Sequence, residues 1–555
     1  MKKFFFAGIL SCFLLMLPYS LSAEDDFGFG FSDEEEASSG GTFALSGAAG
    51  GPVQIGGKVK TELLMYGEDL SDGENLKKVQ MGELFTGSLN FSVSGSNADG
   101  IIKLNLKPNF DKPAESLEFD EAYVRAWFGN FSFEGGLRKL TWGKADSLGP
   151  LDVVNPLDYS DLSRMTSIND IKIARPMLHV SYNLGNFSKI EAVWIPWFEG
   201  QRFSQSGRWA PAMLSRLPGE IVEGIRSIDP AIAAQMESGS LGGDAFTSTL
   251  NNTIDSLSND LKTLEYTQGG LRFTTTLGSN DLGLQYYSGF IQQPSITMKT
   301  AKQARNAKSN LDAETEAAKS SAAAAQEAQA KAEAAADAGD TAAAAEYAAA
   351  AGGYVKEAQS HAAAAAAWGE DLKNAASAFA LGPDIRYNRY HQIGADYARV
   401  IAGFNLRAEL AANITSDSAG DDGAVYNPAL LWSLGFDRDL FWGINGNFQC
   451  NENIRLMNDK IDSNRAIDTE AGTDMTQTRF TFVLSKKLFR EEFELKNTVI
   501  WGVEDMDCYI IPAVVWTKGD VEVELSGGIF GGDESGELGQ YRHNNFVKLG
   551  LAYSF

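Results

Sequence analysis

The chain has few cysteines, an excess of acidic over basic residues and no long apolar run beyond its first residues. Three cysteines in 555 residues are too few for a disulfide-stabilised scaffold. With 47 Lys and Arg against 73 Asp and Glu, the net charge is −26, and no Lys/Arg-rich face is present to bind nucleic acid. Aromatic residues make up 11% of the chain, which excludes a disordered acidic polymer. No later segment has eighteen consecutive apolar residues, so a membrane-spanning helix is not expected.

Residues 1–23 predict a secretory signal peptide, cut near Ala23, because two lysines precede an apolar stretch from Phe4 to Leu17. A stretch of about 14 apolar residues is too short for a ~30 Å hydrocarbon core, which disfavours an uncleaved anchor. A lipoprotein signal at Cys12 is the weaker alternative, since the apolar run continues past it. Residues 24–52 are acidic and then rich in Gly, Ser and Ala, so a flexible leader is expected there.

From Val53 onward, apolar and polar residues alternate, as in Val521-Glu522-Val523-Glu524-Leu525-Ser526. A period of two predicts strands with one apolar and one polar face. The candidate strands are 53–67, 86–97, 99–110, 118–130, 131–145, 176–186, 187–200, 266–278, 281–294, 390–402, 403–416, 424–437, 440–454, 476–489, 493–505, 507–518, 520–533 and 543–555. Their number is even, as in bacterial outer-membrane barrels.

Short turns and long connections alternate between these strands, which is typical of a membrane barrel. The predicted fold is all-β, a transmembrane antiparallel barrel of about 18 strands (16–18) over residues 53–555. A soluble sandwich or propeller also alternates, but does not explain the alternation of loop lengths together with the signal peptide. The last strand, Val547 to Phe555, has apolar residues at every odd position and resembles the C-terminal signal by which the barrel assembly machinery recognises outer-membrane proteins. Cys450 and Cys508 lie three predicted strands apart, about 14 Å, and are expected to be unpaired.

Residues 298–381 interrupt the strand pattern with alanine-rich sequence, which has the highest helix propensity. Gly339-Asp340-Thr341 divides the run, so a helical hairpin with arms of roughly 40 residues is predicted. Gly352-Gly353 should weaken the second arm, and Gly382-Pro383 should end it. The insertion occupies an extracellular loop position; it is either a surface-interaction arm or pore cap, or a tolerated insertion.

A barrel of 18 strands encloses an aqueous lumen, so the inward polar residues determine what passes. The predicted pore-lining residues are Lys58, Lys60, Lys103, Lys107, Glu121, Arg125, Arg138, Lys189, Glu191, Arg407, Glu409, Arg479 and Lys496. Counted over all clean strands, twelve bases face eight acids, a lumenal excess of 12 − 8 = +4. This predicts a mildly anion-favouring pore. Complete pairing of the acids with the bases, with no selectivity, is the alternative.

The third long loop contains Gly149-Pro150 and Asn155-Pro156, turn dipeptides that make it rigid. Its candidate constriction residues are Asp146, Asp152, Asn155, Asp158, Asp161 and Arg164. Folded inward, its carboxylates would face the bases Lys103, Lys107, Arg125 and Arg138 across a constriction. Alternatively, the loop packs over the barrel rim.

The segment W-G-K-A-D…D-V-V-N-P-L-D, followed by Arg175-Pro176-Met177-Leu178 and the strand Glu191 to Phe198, resembles a family of bacterial outer-membrane β-barrel proteins that includes spirochaetal porin-like members. The resemblance covers roughly residues 117–210. It implies an outer-membrane barrel without implying a particular solute. The alanine-rich insertion departs from the expected pattern.

No catalytic or metal-binding motif is recognised, and the four histidines lie on separate elements, so neither an enzyme nor a cofactor is predicted. A catalytic site assembled across strands is the remaining enzyme alternative. Aromatic residues near strand ends or outer faces are expected to lie at the lipid headgroups, or alternatively to bind sugars inside the pore. They are Trp127, Phe128, Trp142, Trp194, Trp197, Trp432, Trp442, Trp501 and Trp516.

The sequence therefore predicts an outer-membrane porin-type channel for passive diffusion of small polar solutes. The alternative is a surface adhesin or ligand-binding barrel that uses its long loops and hairpin. The expected partners are outer-membrane lipid, the barrel assembly machinery through Phe555, and small polar solutes, with no nucleic acid; the oligomeric state is left open.

Overall fold

The structure, a computed structural model, describes residues 43–45, 53–67, 85–107, 117–165, 171–238 and 261–555. Eighteen antiparallel strands follow one another around a sheet that closes on itself, because the last strand pairs with the first barrel strand. The predicted barrel and its 18 strands are confirmed. The barrel strands are β2 (Val53–Tyr66), β3 (Thr86–Ser94), β4 (Ala98–Leu106), β5 (Leu117–Phe128), β6 (Phe131–Arg138), β7 (Arg175–Leu184), β8 (Ser188–Ile195), β9 (Gln268–Leu277), β10 (Asn280–Phe290), β13 (Arg389–Ile401), β14 (Phe404–Thr415), β15 (Ala429–Asp439), β16 (Ile444–Arg455), β17 (Thr476–Leu488), β18 (Phe493–Gly502), β19 (Asp507–Lys518), β20 (Val521–Gly531) and β21 (Phe546–Ser554).

Three short strands complete the numbering. β1 (Phe43–Leu45) pairs with Val53–Ile55 of β2, where β2 extends beyond the end of β21. A segment expected to be a flexible leader therefore contributes a strand, because the free edge of β2 offers unpaired backbone groups. β11 (Ser295–Met298) and β12 (Pro383–Arg386) form a separate two-stranded sheet at the base of the insertion. The predicted signal peptide and the rest of the leader lie outside the described residues.

The two faces of the barrel differ as the alternation predicts. Large apolar side chains are exposed on the outside, among them Val124, Leu271, Leu284 and Ile393, each close to 60% exposed. Polar side chains such as Gln392 and those of the ion pairs below are buried on the inside. Such a wall suits lipid outside and water inside, and leaves no backbone edge unpaired along the seam.

Connections at one end are turns such as Gly129-Asn130 and Lys518-Gly519-Asp520, whereas long loops lie at the other end. The glycines at 129 and 519 have positive φ, which a tight hairpin turn requires. The long loop between β8 and β9 contains α1 (Ala212–Ile228) and α2 (Pro230–Ser238), neither of which was predicted. Among the described residues, no helix is both long enough and apolar enough to cross a membrane.

The predicted alanine-rich hairpin is present as α3 (Ala301–Asp337) and α4 (Thr341–Ser377), each 37 residues long. Asp340 caps α4 by accepting a hydrogen bond from the Ala343 amide. Small side chains let the two helices approach closely, and several of these alanines are buried. α4 continues through Gly352-Gly353, so the predicted weakening of that arm stays a prediction.

Cys450 and Cys508 are both unpaired, as predicted. They lie on β16 and β19, three strands apart in the ring.

Candidate functional site: the lumen and its inward loop

Acidic and basic side chains form pairs along the lumenal wall. Near the seam, Lys60 Nζ lies 2.8 Å from Glu62 and 3.0 Å from Glu524. Lys548 Nζ approaches the same two carboxylates at 3.6 and 3.7 Å. The other predicted lining lysines with a carboxylate partner are Lys58 with Glu522, Lys103 with Glu121, Lys107 with Glu118, and Lys189 with Glu191.

A buried histidine links the ion pairs of four neighbouring strands. His179 Nδ1 lies 2.7 Å from Glu134, and its Nε2 lies 3.2 Å from Glu191. Glu134 also pairs with Arg125 at 2.7 Å and with Arg138. The sequence did not identify His179 as lumenal, although its register position opposite Glu134 places it on the inner face. This network joins β5, β6, β7 and β8.

The pairs continue along the next strands, where the sequence missed a central carboxylate. Asp396 lies 2.6 Å from Arg272, which also donates to Gln285 at 2.7 Å. Asp396 covers Gly283 so closely that a Cβ there would lie 2.2 Å from a carboxylate oxygen. The glycine on β10 therefore gives the carboxylate its space.

The third long loop, described at residues 139–165 and 171–174, enters the lumen and is called the inward loop. Its backbone surrounds Glu409 of β14, whose carboxylate accepts hydrogen bonds from the amides of Lys144, Ala145 (2.8 Å) and Leu151 (3.2 Å). β14 lies six positions from β6 in the ring, so the loop reaches well across the barrel. Gly143, at φ +95°, allows this approach, because a Cβ would lie 2.3 Å from Glu409.

Asp146 is the inward-loop residue that contacts a wall arginine. Its carboxylate lies 2.6 Å from Arg407 and accepts a hydrogen bond from Asn447 at 2.9 Å. Arg407 is shared with Asp437 of β15. Burial, with the charge of Asp437 added, raises the pKa of Asp146 against the opposing effect of Arg407.

Asp152 and Asn155 hold the inward loop together. Asp152 lies 2.7 Å from Lys172 of the same loop, and burial raises the pKa of this carboxyl group. The Asn155 side chain accepts from the Leu140 amide at 2.7 Å and donates to the Ile173 carbonyl at 2.8 Å. These contacts tie the two ends of the loop to one another.

The last part of the inward loop reaches the opposite wall. Asp161 accepts a hydrogen bond from the Ser163 amide and lies 3.2 Å from Arg164. The Leu162 carbonyl accepts from the hydroxyl of Tyr509 on β19 at 3.0 Å. Asp158 accepts from the Ser160 amide within the loop. The inward loop therefore contacts widely separated parts of the wall.

The charge partners differ from those expected for a loop facing four wall bases. The inward-loop carboxylates Asp146, Asp152 and Asp161 pair with Arg407, Lys172 and Arg164. The bases Lys103, Lys107, Arg125 and Arg138 have wall carboxylates as their described ion partners. These wall partners lie on the same strand or on an adjacent one, so the four bases are paired within the wall.

Two predicted lining residues lie on β17 and β18. Arg479 pairs with Glu537 from the loop between β20 and β21. Lys496 shares its face of β18 with Ile500, which packs against a buried aromatic cluster.

The sequence predicted Trp142 near a strand end or outer face, at the lipid headgroups. The structure instead buries it inside the barrel. It is 2% exposed and packs edge-on against Tyr287, with ring centroids 6.4 Å apart. Gly270 makes room for the indole, since a Cβ there would lie 2.8 Å from it. The inward path of the loop, which starts just before Trp142, carries the ring into the interior.

Parts of three long loops form an apolar core at the end of the barrel, which the sequence did not predict. Leu217, Ile221 and Ile225 of α1 are fully buried against the base of the hairpin and against Ala466. Their spacing of four residues is the helical pattern that would have indicated α1. Among the described residues, no group of three or more His, Cys, Asp or Glu has a metal-binding arrangement.

A family model described as "Protein of unknown function (DUF1302)" matches residues 108–555 of the chain. No curated protein matches this chain in sequence. Similar solved structures include the outer membrane channel DcaP of Acinetobacter baumannii, with 10% identity over 92% of this chain and 99% of that chain and a TM-score of 0.36. OccK3 (OpdO) of Pseudomonas aeruginosa has 7% identity over 91% of this chain and 95% of that chain, with a TM-score of 0.40. At these identities and TM-scores, the similarity adds nothing to the fold already described.

Proposed function

This chain belongs to the DUF1302 family, and we propose that it is an outer-membrane channel for passive diffusion of small polar solutes. The observation that carries the proposal is a closed 18-strand barrel with an apolar exterior and a charged, ion-paired interior. A barrel of this size has more internal space than wall side chains fill. The inward loop is the proposed constriction, with Asp146, Asp152, Asn155, Asp158, Asp161 and Arg164 as its polar residues.

The proposed ion preference is weakly for anions. The sequence count of twelve bases and eight acids left out Glu118, Asp396 and Asp437, which pair with Lys107, Arg272 and Arg407. These three carboxylates offset part of the excess of bases that the sequence count predicts. Selectivity therefore depends on local charge at the narrowest part of the path.

The proposal is tested by planar-bilayer recording of the purified barrel. Stable single-channel steps support a channel, and their absence contradicts it. Lys103→Glu with Lys107→Glu should shift the reversal potential toward cations, because it places four carboxylates where two ion pairs stand. The matched control is Lys331→Glu on the exposed hairpin, which should leave the reversal potential unchanged. An unchanged reversal potential in the double variant would contradict these positions as pore-lining.

An adhesin or ligand-binding barrel is the second candidate, favoured by the long exposed hairpin. Tyr347, Tyr354 and Val355 are each about 40% exposed on α4. Shortening both arms next to the turn separates the candidates: conductance should persist for a channel, whereas surface binding should be lost for an adhesin.

Export, assembly and the narrower family resemblance belong to the same proposal. Cleavage near Ala23 would release the mature chain for transport to the outer membrane, and the assembly machinery would recognise Phe555. The Phe555 backbone exchanges two hydrogen bonds of 2.9 Å with Gly57 at the seam. A relation to spirochaetal porin-like proteins and an oligomeric state in the membrane are proposed without a specific partner.

A further inference from the structure

The described start of the loop between β8 and β9, residues 196–238, is called the mouth cap. Its contacts are spread around the ring of 18 strands. Phe198 packs against Phe290 at the end of β10, with ring centroids 5.4 Å apart. Arg202 reaches Glu118 of β5 at 3.3 Å. Further along, the cap touches β2, β20 and the loop between β16 and β17, so it contacts all sides of the barrel mouth.

The mouth cap crosses directly above the inward loop. The Tyr159 amide donates to the Arg202 carbonyl at 2.8 Å, and the Arg202 amide donates to the Leu157 carbonyl at 3.0 Å. The Phe203 and Tyr159 rings stack, with centroids 5.6 Å apart. The two loops therefore form a layered obstacle in the path into the lumen.

Trp209 anchors the mouth cap on the wall far from its origin. β8 lies six ring positions from β2 and eight from β20. The Trp209 ring contacts Tyr66 of β2, Phe530 of β20 and Tyr541, with centroids 6.4, 5.6 and 5.5 Å away. It is 6% exposed, and its Nε1 donates to the Tyr66 hydroxyl at 3.3 Å.

The helix that follows returns to another side of the mouth. α1 ends against the loop between β16 and β17, where Asn464 donates to the Gly224 carbonyl at 2.8 Å. Undocking α1 would expose Leu217, Ile221 and Ile225, which are all fully buried. Because undocking would expose three such side chains at once, the undocked population stays far below the ~0.1–10% that is typical of a functional minor conformation.

We propose that the mouth cap is a fixed size-limiting filter, in series with the constriction at the inward loop. The inference rests on the proposed channel function and specifies where large polar solutes are excluded. A solute must pass the sides of the crossing segment before it meets the charged wall. The cap acts by its position, because its core and the Trp209 anchor prevent it from swinging aside.

The first test adds bulk to the crossing segment without removing any packing contact. Ser206 is exposed between Arg202 and Trp209. In a Cys450→Ser, Cys508→Ser background, Ser206→Cys is labelled with a polyethylene glycol maleimide. Labelling should lower unitary conductance by at least half, because the polymer occupies the path. The matched control, Ser320→Cys on the exposed face of α3, should not respond; an equal lack of response at Ser206 overturns the proposal.

The second test distinguishes a fixed filter from a moving lid. A Cβ on Gly224 would lie 3.0 Å from the Ala466 Cβ, somewhat shorter than the ~3.8 Å typical of a disulfide. It would also lie 2.3 Å from Asn464 Oδ1, so the cysteine pair is made together with Asn464→Ala, which removes that oxygen. In the same background, Gly224→Cys with Ala466→Cys should conduct equally when oxidised and reduced. A fall in conductance on oxidation would show that the cap moves and would reject the fixed filter.

The third test separates failure of the filter from failure of the channel. Replacing residues 199–260 with a short Gly/Ser turn should at least double unitary conductance and admit larger neutral polymers. Folding is checked by heat-dependent electrophoretic mobility. A folded replacement with unchanged conductance rejects the filter but keeps the channel. Absence of conductance in the wild type and in every folded variant rejects the proposed function itself.

Discussion

Glu409 illustrates how a lumenal side chain acquires a role that its strand alone does not specify. Alternation along β14 places it inside the barrel, and the sequence identified it on that basis. Its partners are three backbone amides of a loop more than 250 residues earlier in the chain. A carboxylate can accept several hydrogen bonds at once, which suits it to hold a turn of the backbone.

Glu409→Gln should loosen the inward loop. The amide has a single oxygen acceptor, so buried backbone amides lose their partner at a cost of about 1–3 kcal/mol. We expect noisier single-channel currents and faster hydrogen exchange at residues 144–151. Glu522→Gln, which alters a lumenal carboxylate paired with Lys58, is the matched control and should change neither. Equal hydrogen-exchange rates at residues 144–151 in the two variants would show that Glu409 does not anchor the inward loop.

Acid should titrate Asp146 at a higher pH than an exposed aspartate. Burial raises its pKa above 3.8. The stability contributed by the protonated carboxyl group is therefore fully present below the pKa of the unfolded state, and it is lost as pH rises through the pKa of the folded state. Protonation also leaves Arg407 with one acidic neighbour fewer. The reversal potential should therefore shift toward anions on acidification, with a midpoint above pH 3.8. Asp146→Asn should lack this component of the shift; a variant that titrates like the wild type would assign it to another group.

Among the secondary-structure elements, the hairpin was predicted from the sequence and the mouth helices were not. Alanine-rich sequence has a strong local helix preference, and a glycine-containing turn divides it visibly. The apolar spacing of four residues in α1 is a shorter signal, and the partners of this apolar face, Ala466 and the hairpin base, are distant in sequence. Local propensity therefore identified α3 and α4, whereas the packing partners of α1 are known only from the tertiary structure.

Gly352→Ala with Gly353→Ala should stabilise the second arm of the hairpin. Both glycines lie within α4, and an added Cβ meets no atom within 4 Å at either. Each substitution should add about 1 kcal/mol to helix stability, because alanine loses less conformational entropy than glycine. Amide hydrogen exchange along α4 measures the effect. Ala350→Gly is the reverse control and should speed exchange; no slowing in the double variant would mean that the arm is already held by packing alone.

At the scale of the whole molecule, closure depends on the seam between β2 and β21. Nine register pairs join the two strands, from Lys58 with Ser554 to Tyr66 with Phe546. Phe555 extends the seam by covering Gly57, where a Cβ would lie 2.7 Å from its ring and 2.6 Å from the Ser88 carbonyl. A barrel has no free edge only while this seam is intact.

Gly57→Val should weaken barrel closure, because the branched side chain displaces the Phe555 ring and meets the backbone of β3. We expect the heat-dependent change in electrophoretic mobility to occur at a lower temperature than in the wild type. Gly100→Val, on β4 with no atom within 4 Å of the added Cβ, is the control and should behave as the wild type. Equal transition temperatures for the two variants would show that the Phe555 contact does not limit closure.

The sequence by itself determined the strands, their two faces, the hairpin and the order around the ring. These follow from alternation, helix propensity and turn residues, which act between neighbours along the chain. Only the tertiary structure decided that Asp146 meets Arg407, that Glu409 holds the inward loop and that Trp209 seats opposite its origin. Loop paths depend on the shape of the completed barrel, since the residues that hold the loops are distant in sequence and are brought together by the closed wall.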